Sequence, residues 1–402
     1  VDESLKKYVT SYINDIHLSN NSTIGNNDLG KALGSPLNPS INLSSAYAFK
    51  TVDELNEYHN NKRDNTRYAR DGNELTRQTE EYFGHIFDNS TSFLFNSGMA
   101  AVSCALNVLY SKIDNIITFG VFYRKTEALI SHAAEQYKIH HHNIIDGDLS
   151  ILHSLSGKTL FFVENFSNPF LRVTDVEQLK RECPDSYVIL DSTLQGLIPS
   201  ENEAKYIDIT VSSCTKYIGG HNDFLAGVLS TKNTDLAREV WDFRSANGSI
   251  LGSLEAYLLL RSLRTYDLRV AKVEQNTNQV ISFLKEHSEI KKLFYPFSFS
   301  NDDQAEMANQ YFFHGGVISF EVARDVNLEK NISNLCSTKM APSFGSVDSL
   351  VEIPFHMSKR VRGNASESHY HSLMCSNKFV RLSVGCEPIS FILDDLKILL
   401  SL

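Results

Sequence analysis

From about residue 90 onward, short and nearly continuous apolar runs alternate with stretches whose apolar positions recur at helical spacing. The runs are Phe93-Leu94-Phe95, Ile116-Ile117-Thr118-Phe119, Leu160-Phe161-Phe162-Val163, Tyr187-Val188-Ile189-Leu190, Ile207-Asp208-Ile209-Thr210-Val211 and Leu225-Ala226-Gly227-Val228-Leu229. Strands separated by helices predict a largely parallel α/β sheet. The near absence of polar alternation within them predicts a sheet covered on both faces. Residues 1–65 differ: they are polar, rich in Asn and Ser, and too poor in apolar positions for a core of their own. Leu5, Tyr8, Tyr12 and Ile13 predict a short helix there, on an arm that packs against something else. From Leu254 a helical pattern runs through Leu258, Arg261 and Thr265 to Val270. Beyond it helix and strand mix, with a strand expected at Gly315–Phe320, a polar loop at 359–371 and a closing helix at about 389–401. The expected division is an arm (1–65), a large α/β domain (66–260) and a smaller C-terminal α+β domain (261–402).

Composition narrows the partners. The chain has 402 residues, 42% of them apolar, enough for a sizeable core without staples. Its 38 Lys+Arg against 48 Asp+Glu give a net charge of -10, which argues against a nucleic-acid footprint and against anionic membrane. The six cysteines form no CxxC pair and predict reduced, buried thiols without zinc. The first twenty residues have no apolar core of a signal peptide, and no run approaches a membrane span of about 18 apolar residues. The cytoplasm is the expected location.

Three local signals carry chemistry. In Phe93-Leu94-Phe95-Asn96-Ser97-Gly98-Met99 a strand gives way to a small-residue turn and a helix, with Met99, Val102, Leu106 and Leu109 at helical spacing. Such a helix start offers N–H groups to a phosphate, although a purely structural turn reads the same way. Asp191 follows the strand Tyr187–Leu190, where α/β folds bind ligands; the plainer alternative is a cap or turn aspartate. Lys216 lies in Ser213-Cys214-Thr215-Lys216-Tyr217-Ile218-Gly219-Gly220-His221, flanked by hydroxyls and followed by a Gly-Gly turn. A lysine with a lowered pKa is a good nucleophile toward carbonyls; most lysines are merely solvated. In this order, however, the three match the needs of pyridoxal 5'-phosphate (PLP): a phosphate cup, a carboxylate to keep the pyridine nitrogen protonated, and an amine to attach the cofactor. His140-His141-His142 cannot all face one ion from a strand, so no metal site is expected there. His221 reads as structural.

Six ordered motifs then give a resemblance. They are Tyr68-Ala69-Arg70-Asp71-Gly72-Asn73, Phe95-Asn96-Ser97-Gly98-Met99-Ala100-Ala101, Glu164-Asn165-Phe166-Ser167-Asn168-Pro169, Ser213 to Asp223, Arg261-Ser262-Leu263-Arg264-Thr265 and Val380-Arg381-Leu382-Ser383-Val384-Gly385-Cys386-Glu387. From about residue 40 to its end the chain resembles the Cys/Met-metabolism PLP enzymes, the group of cystathionine γ-synthase, cystathionine γ- and β-lyases, methionine γ-lyase and O-acylhomoserine sulfhydrylases. The resemblance implies the PLP-dependent aminotransferase-like α/β fold (fold type I), with a mostly parallel sheet in the PLP-binding large domain. It implies that Lys216 carries PLP, that Asp191 pairs with the pyridine nitrogen, and that Gly98, Met99, Ser213 and Thr215 hold the phosphate. Tyr123 matches the tyrosine that stacks on the ring and moves protons, and Asn168 the ligand of the phenolic oxygen. Arg381 matches the clamp on the substrate α-carboxylate, with Ser343 beside it. Tyr68 and Arg70 match a pair that reaches a neighbouring subunit's cofactor. A homodimer or homotetramer with shared active sites is therefore implied, acting on a small amino-acid substrate within transsulfuration or methionine biosynthesis. Read alone, Tyr68 and Arg70 would be an exposed loop pair, and Arg381 an outward-facing strand charge.

Departures from the family pattern bear on the substrate. Arg124 and Lys125 replace the usual small residues after the stacking tyrosine, and Asn73-Glu74-Leu75 replaces Asn-Pro-Thr. Pro342 stands where γ-enzymes that handle cystathionine carry a glutamate, Arg67 where they carry another acid, and Ser358-Lys359 where they carry Thr-His. Neutral or basic residues in place of acids favour a distal anion over a distal ammonium, as in O-succinyl- or O-phosphohomoserine. Three readings follow: γ-replacement or γ-elimination on an O-activated homoserine, β-elimination by a C–S lyase, or PLP binding without catalysis.

Overall fold

A computed structural model describes residues 37–60, 66–88, 90–145, 147–197, 204–297, 302–311, 313–357 and 369–402. The expected helix around Leu5 to Ile13, positions Ser358 and Lys359, and most of the expected loop at 359–371 lie outside these residues.

Seven strands form the first sheet: β1 (Thr91–Phe95), β2 (Asn115–Phe119), β3 (His140–Ile144), β4 (Thr159–Glu164), β5 (Tyr187–Asp191), β6 (Ile209–Ser213) and β7 (Gly227–Thr231), in the order β1-β7-β6-β5-β4-β2-β3. All neighbours are parallel except β7, which runs against both β1 and β6. The inner strands are buried along nearly their whole length, as their unbroken apolar runs require. The histidine-rich run becomes the edge strand β3, where polar side chains are tolerated, and His141 Nε2 lies 3.0 Å from Thr118 Oγ1 on β2.

Two expected boundaries move. The run at Leu225–Leu229 enters the sheet only at Gly227, because β7 passes there against the turn after β1; a Cβ on Gly227 would strike the Ser97 carbonyl. The helical pattern from Leu254 to Val270 is two helices, Ser253–Leu263 and Tyr266–Glu286, separated at Arg264-Thr265. No Gly or Pro marks that break. It is tertiary: after the turn, the Arg269 guanidinium reaches back to donate to the carbonyls of Tyr217 (2.7 Å), Ile218 (2.9 Å) and Ser262 (2.9 Å).

The second sheet holds β8 (Ile290–Phe294), β9 (Val317–Val322), β10 (Lys339–Met340), β11 (Leu350–Glu352) and β12 (Phe379–Ser383), in the order β10-β11-β12-β9-β8. It is antiparallel apart from the β10–β11 pair, and the closing helix Ile389–Leu399 packs on the long helix Tyr266–Glu286. One apolar cluster joins both sheets, with Leu194, Tyr217 and Ile218 from the first part of the chain and Val317, Phe320 and Leu382 from the second.

Upstream, Asn73 caps the helix Glu74–Ile86: its side chain accepts from the Thr76 N–H (2.9 Å) and the Thr76 hydroxyl accepts from the Asn73 N–H (2.9 Å). The departure Asn73-Glu74-Leu75 is thus a helix start, with an acid in its first turn. The end of the expected loop at 359–371 belongs to a helix, His369–Met374. Among the described residues no helix is long and apolar enough to cross a membrane.

Candidate active site

The C-terminal ends of β4, β5 and β6 open into a cavity of about 240 Å³, closed on its far side by Arg381 on β12 and by Pro342 and Phe344 in the loop between β10 and β11. Gly98, Met99, Tyr123, Asn168 and Asp191 line it, together with Ser213, Thr215, Lys216 and Arg381. Residues from distant parts of the sequence therefore meet where α/β folds bind ligands.

Lys216 follows β6 in a tight turn. Its own N–H donates to Ser213 O (3.1 Å), and its carbonyl accepts from Gly220 N–H (2.7 Å). The Arg269 bonds to Tyr217 and Ile218 fix the carbonyls just beyond it. Lys216 Nζ donates to Ser343 Oγ at 2.8 Å and lies 4.8 Å from the centre of the Phe344 ring. Burial, and then the nearby Arg381 charge, push its pKa down to about 8, with Glu352 pulling the other way. An appreciable neutral fraction near neutrality makes this amine a usable nucleophile and base.

Across the floor, Glu164 and Asp191 end β4 and β5 as directly paired residues. Paired residues on neighbouring parallel strands project to the same face, so two carboxylates share one buried corner. Burial raises the pKa of Asp191 from its ordinary value, while hydrogen bonds from the Thr193 hydroxyl and N–H oppose the rise. Burial first, and the Asp191 charge second, raise Glu164, opposed by the N–H groups of Tyr123 (2.8 Å) and Asn168 (3.3 Å). A cation set between the two would relieve both.

At the opposite end Ser97 caps the helix Gly98–Asn107, its hydroxyl accepting from Ala100 N–H (3.1 Å). The first helical N–H groups have no partner within their own helix. A Cβ on Gly98 would lie 2.7 Å from the Ser213 Cβ, so only glycine lets the helix start approach Ser213 this closely. The Thr215 hydroxyl accepts from Ala226 N–H (3.1 Å), which fixes the rim.

Arg381 stands on β12 and faces inward, buried, rather than outward as its alternating stretch would suggest. Its guanidinium donates to Asn168 Oδ1 (3.2 Å) and the Ser343 carbonyl (3.2 Å), and pairs with Glu352, its register partner on β11. Burial lowers its pKa, and Glu352 is the main opposing influence.

Of the residues singled out in the sequence, Ser343 does not line this cavity but meets Lys216 through its hydroxyl, and Tyr68, Arg70, Arg67, Arg124 and Lys125 do not line it either. These last five are exposed. The Arg70 guanidinium lies 5.2 Å from the Tyr68 ring centre, and that of Arg67 5.3 Å from the Tyr58 ring centre. Lys125 lies in the first turn of the helix Arg124–Tyr137, directly after Tyr123. Four further residues shape the site without having been assigned a part: Glu164, Arg269, Glu352 and Phe344. Glu164 ends an apolar strand, as Asp191 does, so its signal was present; the other three act through tertiary contacts.

The donor set fits PLP. The glycine-walled helix start suits a phosphate, the acid pair suits a protonated ring nitrogen, and the buried amine suits a carbonyl carbon.

Comparison with known proteins gives the same direction. A model of the family described as Cys/Met metabolism PLP-dependent enzyme matches residues 25–401. The chain is 28% identical over 336 residues to cystathionine beta-lyase of Lactococcus lactis subsp. cremoris (strain MG1363), covering 82% of this chain and 87% of that protein. It is 31% identical over 365 residues to the chloroplastic cystathionine gamma-synthase 1 of Nicotiana tabacum, covering 89% of this chain and 66% of that protein. The fold is similar to the crystal structure of cystathionine gamma-lyase from Lactobacillus plantarum complexed with L-serine, with a TM-score of 0.80, 24% identity and 98% of each chain covered.

Proposed function

The chain belongs to the Cys/Met metabolism PLP-dependent enzymes, a family with the fold-type-I architecture, PLP as cofactor and small amino acids as substrates, and from that premise we propose that it catalyses γ-replacement or γ-elimination on an O-activated homoserine. One observation carries the choice of substrate. The only carboxylates lining the cavity among the described residues are Glu164 and Asp191, at the ends of β4 and β5, while Leu225, Pro342 and Phe344 form an apolar wall. Nothing acidic on that wall awaits the distal ammonium of cystathionine; Arg67 and Lys125 lie outside the cavity, and in this reading they favour an anionic leaving group from its entrance or from a neighbouring subunit. Replacing Arg67 and Lys125 by alanine raises KM for such a substrate.

In this reading Gly98, Met99, Ser213 and Thr215 hold the cofactor phosphate, Asp191 faces the ring nitrogen, Asn168 faces the phenolic oxygen and Lys216 attaches PLP. Tyr123 covers the ring. The bound cofactor supplies an electron sink for charge developing at the α-carbon. Arg381, with Ser343, fixes the substrate α-carboxylate by paired charged hydrogen bonds. Lys216 Nζ takes the α-proton, and the Tyr123 hydroxyl hands a proton to the departing group. Tyr68 and Arg70 complete the site of a neighbouring subunit, so the working unit is at least a dimer.

The second reading, β-elimination by a C–S lyase, is favoured by the match to the Lactococcus cystathionine beta-lyase. Turnover in D2O separates the two. γ-Chemistry removes protons from both the α- and the β-carbon, so deuterium enters the β-position of the substrate or of the 2-oxobutanoate formed. Turnover without deuterium at the β-carbon of any four-carbon unit, whether in recovered substrate, in 2-oxobutanoate or within the replacement product, contradicts the proposal.

A further inference from the structure

Glu164 is the one half-buried carboxylate of the cavity to which the proposed reaction gives no task. Its two oxygens accept from two different loops: Oε1 from the Tyr123 N–H at 2.8 Å, and Oε2 from the Asn168 N–H at 3.3 Å. Tyr123 begins the helix Arg124–Tyr137 after β2, and Asn168 lies in the loop after β4. The Asn168 side chain in turn accepts from Arg381 on β12. One carboxylate thus stands between the aromatic wall, the asparagine that orients the guanidinium, and its strand partner Asp191.

We propose that Glu164 is a positioning residue whose carboxylate clamps Tyr123 and Asn168 to the floor that Asp191 occupies, so that ring wall, ring floor and carboxylate clamp share one register. Hydrogen bonds to a charged acceptor are stronger than those to a neutral one; burial and the Asp191 charge push the Glu164 pKa up to about 8 and the two N–H groups oppose that rise, so the two-sided clamp is strongest above that pH, where the exchange is measured. The charged groups around it are Asp191 on β5, Lys216 in the turn after β6, and Arg381, which reaches it through Asn168. The proposal rests on the family's cofactor and on this cavity. It is independent of whether the chemistry is γ or β.

The test uses the full chain without cofactor. Amide hydrogen exchange is read by mass spectrometry in wild type, Glu164→Ala and Glu164→Gln, alongside binding of PLP and of inorganic phosphate. In Glu164→Ala the amides of Tyr123 and Asn168 exchange about tenfold faster or more, while the segment around Ser213 to Lys216 is unchanged. PLP affinity falls severalfold, and phosphate affinity stays the same because the cup is untouched. Glu164→Gln keeps one acceptor oxygen, so one of the two amides retains its protection; if the alanine variant does not fold, this variant alone decides. Unchanged exchange at both amides, or faster exchange spread evenly over the sheet, overturns the proposal. Loss of γ-activity with substrate panels, by contrast, bears on the reaction and leaves the clamp standing.

Discussion

Lys216 Nζ donates to Ser343 Oγ across 2.8 Å, joining residues 127 apart in sequence. The bond spans the cavity from the turn after β6 to the loop between β10 and β11. It therefore ties the nucleophilic amine of the first sheet to the segment whose carbonyl also receives Arg381.

The lowered pKa of Lys216 has a signed consequence. Its folded value of about 8 lies below the ordinary 10.5, so the unfolded chain binds more protons between the two. Its contribution to stability is fully present above about 10.5, declines as pH falls, and is lost below about 8. Apo-protein unfolded in urea across this window should gain stability with rising pH, and Lys216→Met should remove that gain. The same variant should show no turnover and retain no PLP after borohydride reduction.

Arg381 and Glu352 form a buried ion pair between β12 and β11. Removing one partner strands the other, at about 3–5 kcal/mol. Glu352→Ala should therefore lower the unfolding free energy by several kcal/mol, whereas Glu352→Ala with Arg381→Met should recover most of it. Arg381→Met alone should also raise KM for the amino-acid substrate by roughly 10- to 100-fold, the worth of a charged hydrogen-bonded contact.

Gly98 sets how closely the helix start approaches Ser213, and with it the width of the proposed phosphate cup. Gly98→Ala places a methyl 2.7 Å from the Ser213 Cβ, so the helix start must retreat. PLP affinity, read by absorbance titration of the apo-protein, should fall by about tenfold or more, and the overpacking should also lower the melting temperature.

Tyr68 and Arg70 test the shared site. Arg70→Ala and Lys216→Ala should each be nearly inactive alone. Mixed and reassembled, hybrid dimers carry one site with both residues intact, so activity should return to about a quarter of wild type. No recovery would place Arg70 in its own chain's site.

Much of the fold could be read from the chain because its strands are buried on both faces and so appear as unbroken apolar runs. β1, β2, β4 and β5 lie within a residue or two of those runs. The start of β7 was not legible, since it depends on contact between Gly227 and Ser97. Nor was the break at Arg264-Thr265, which Arg269 enforces from a distance. For the site, Lys216, Asp191, Gly98 and Asn168 sit in local motifs, and the cavity gathers them. Alternation hid the inward turn of Arg381, because β12 is buried on both faces. Glu352 and Arg269 acquire their parts only through pairing with distant segments.

The most direct measurement is product identification by mass spectrometry. The PLP-loaded protein is incubated with O-succinyl-, O-acetyl- and O-phosphohomoserine plus cysteine, and separately with cystathionine. The account predicts cystathionine or 2-oxobutanoate from an activated homoserine, fastest with an anionic ester. Pyruvate from cystathionine, with every homoserine ester untouched, would contradict it.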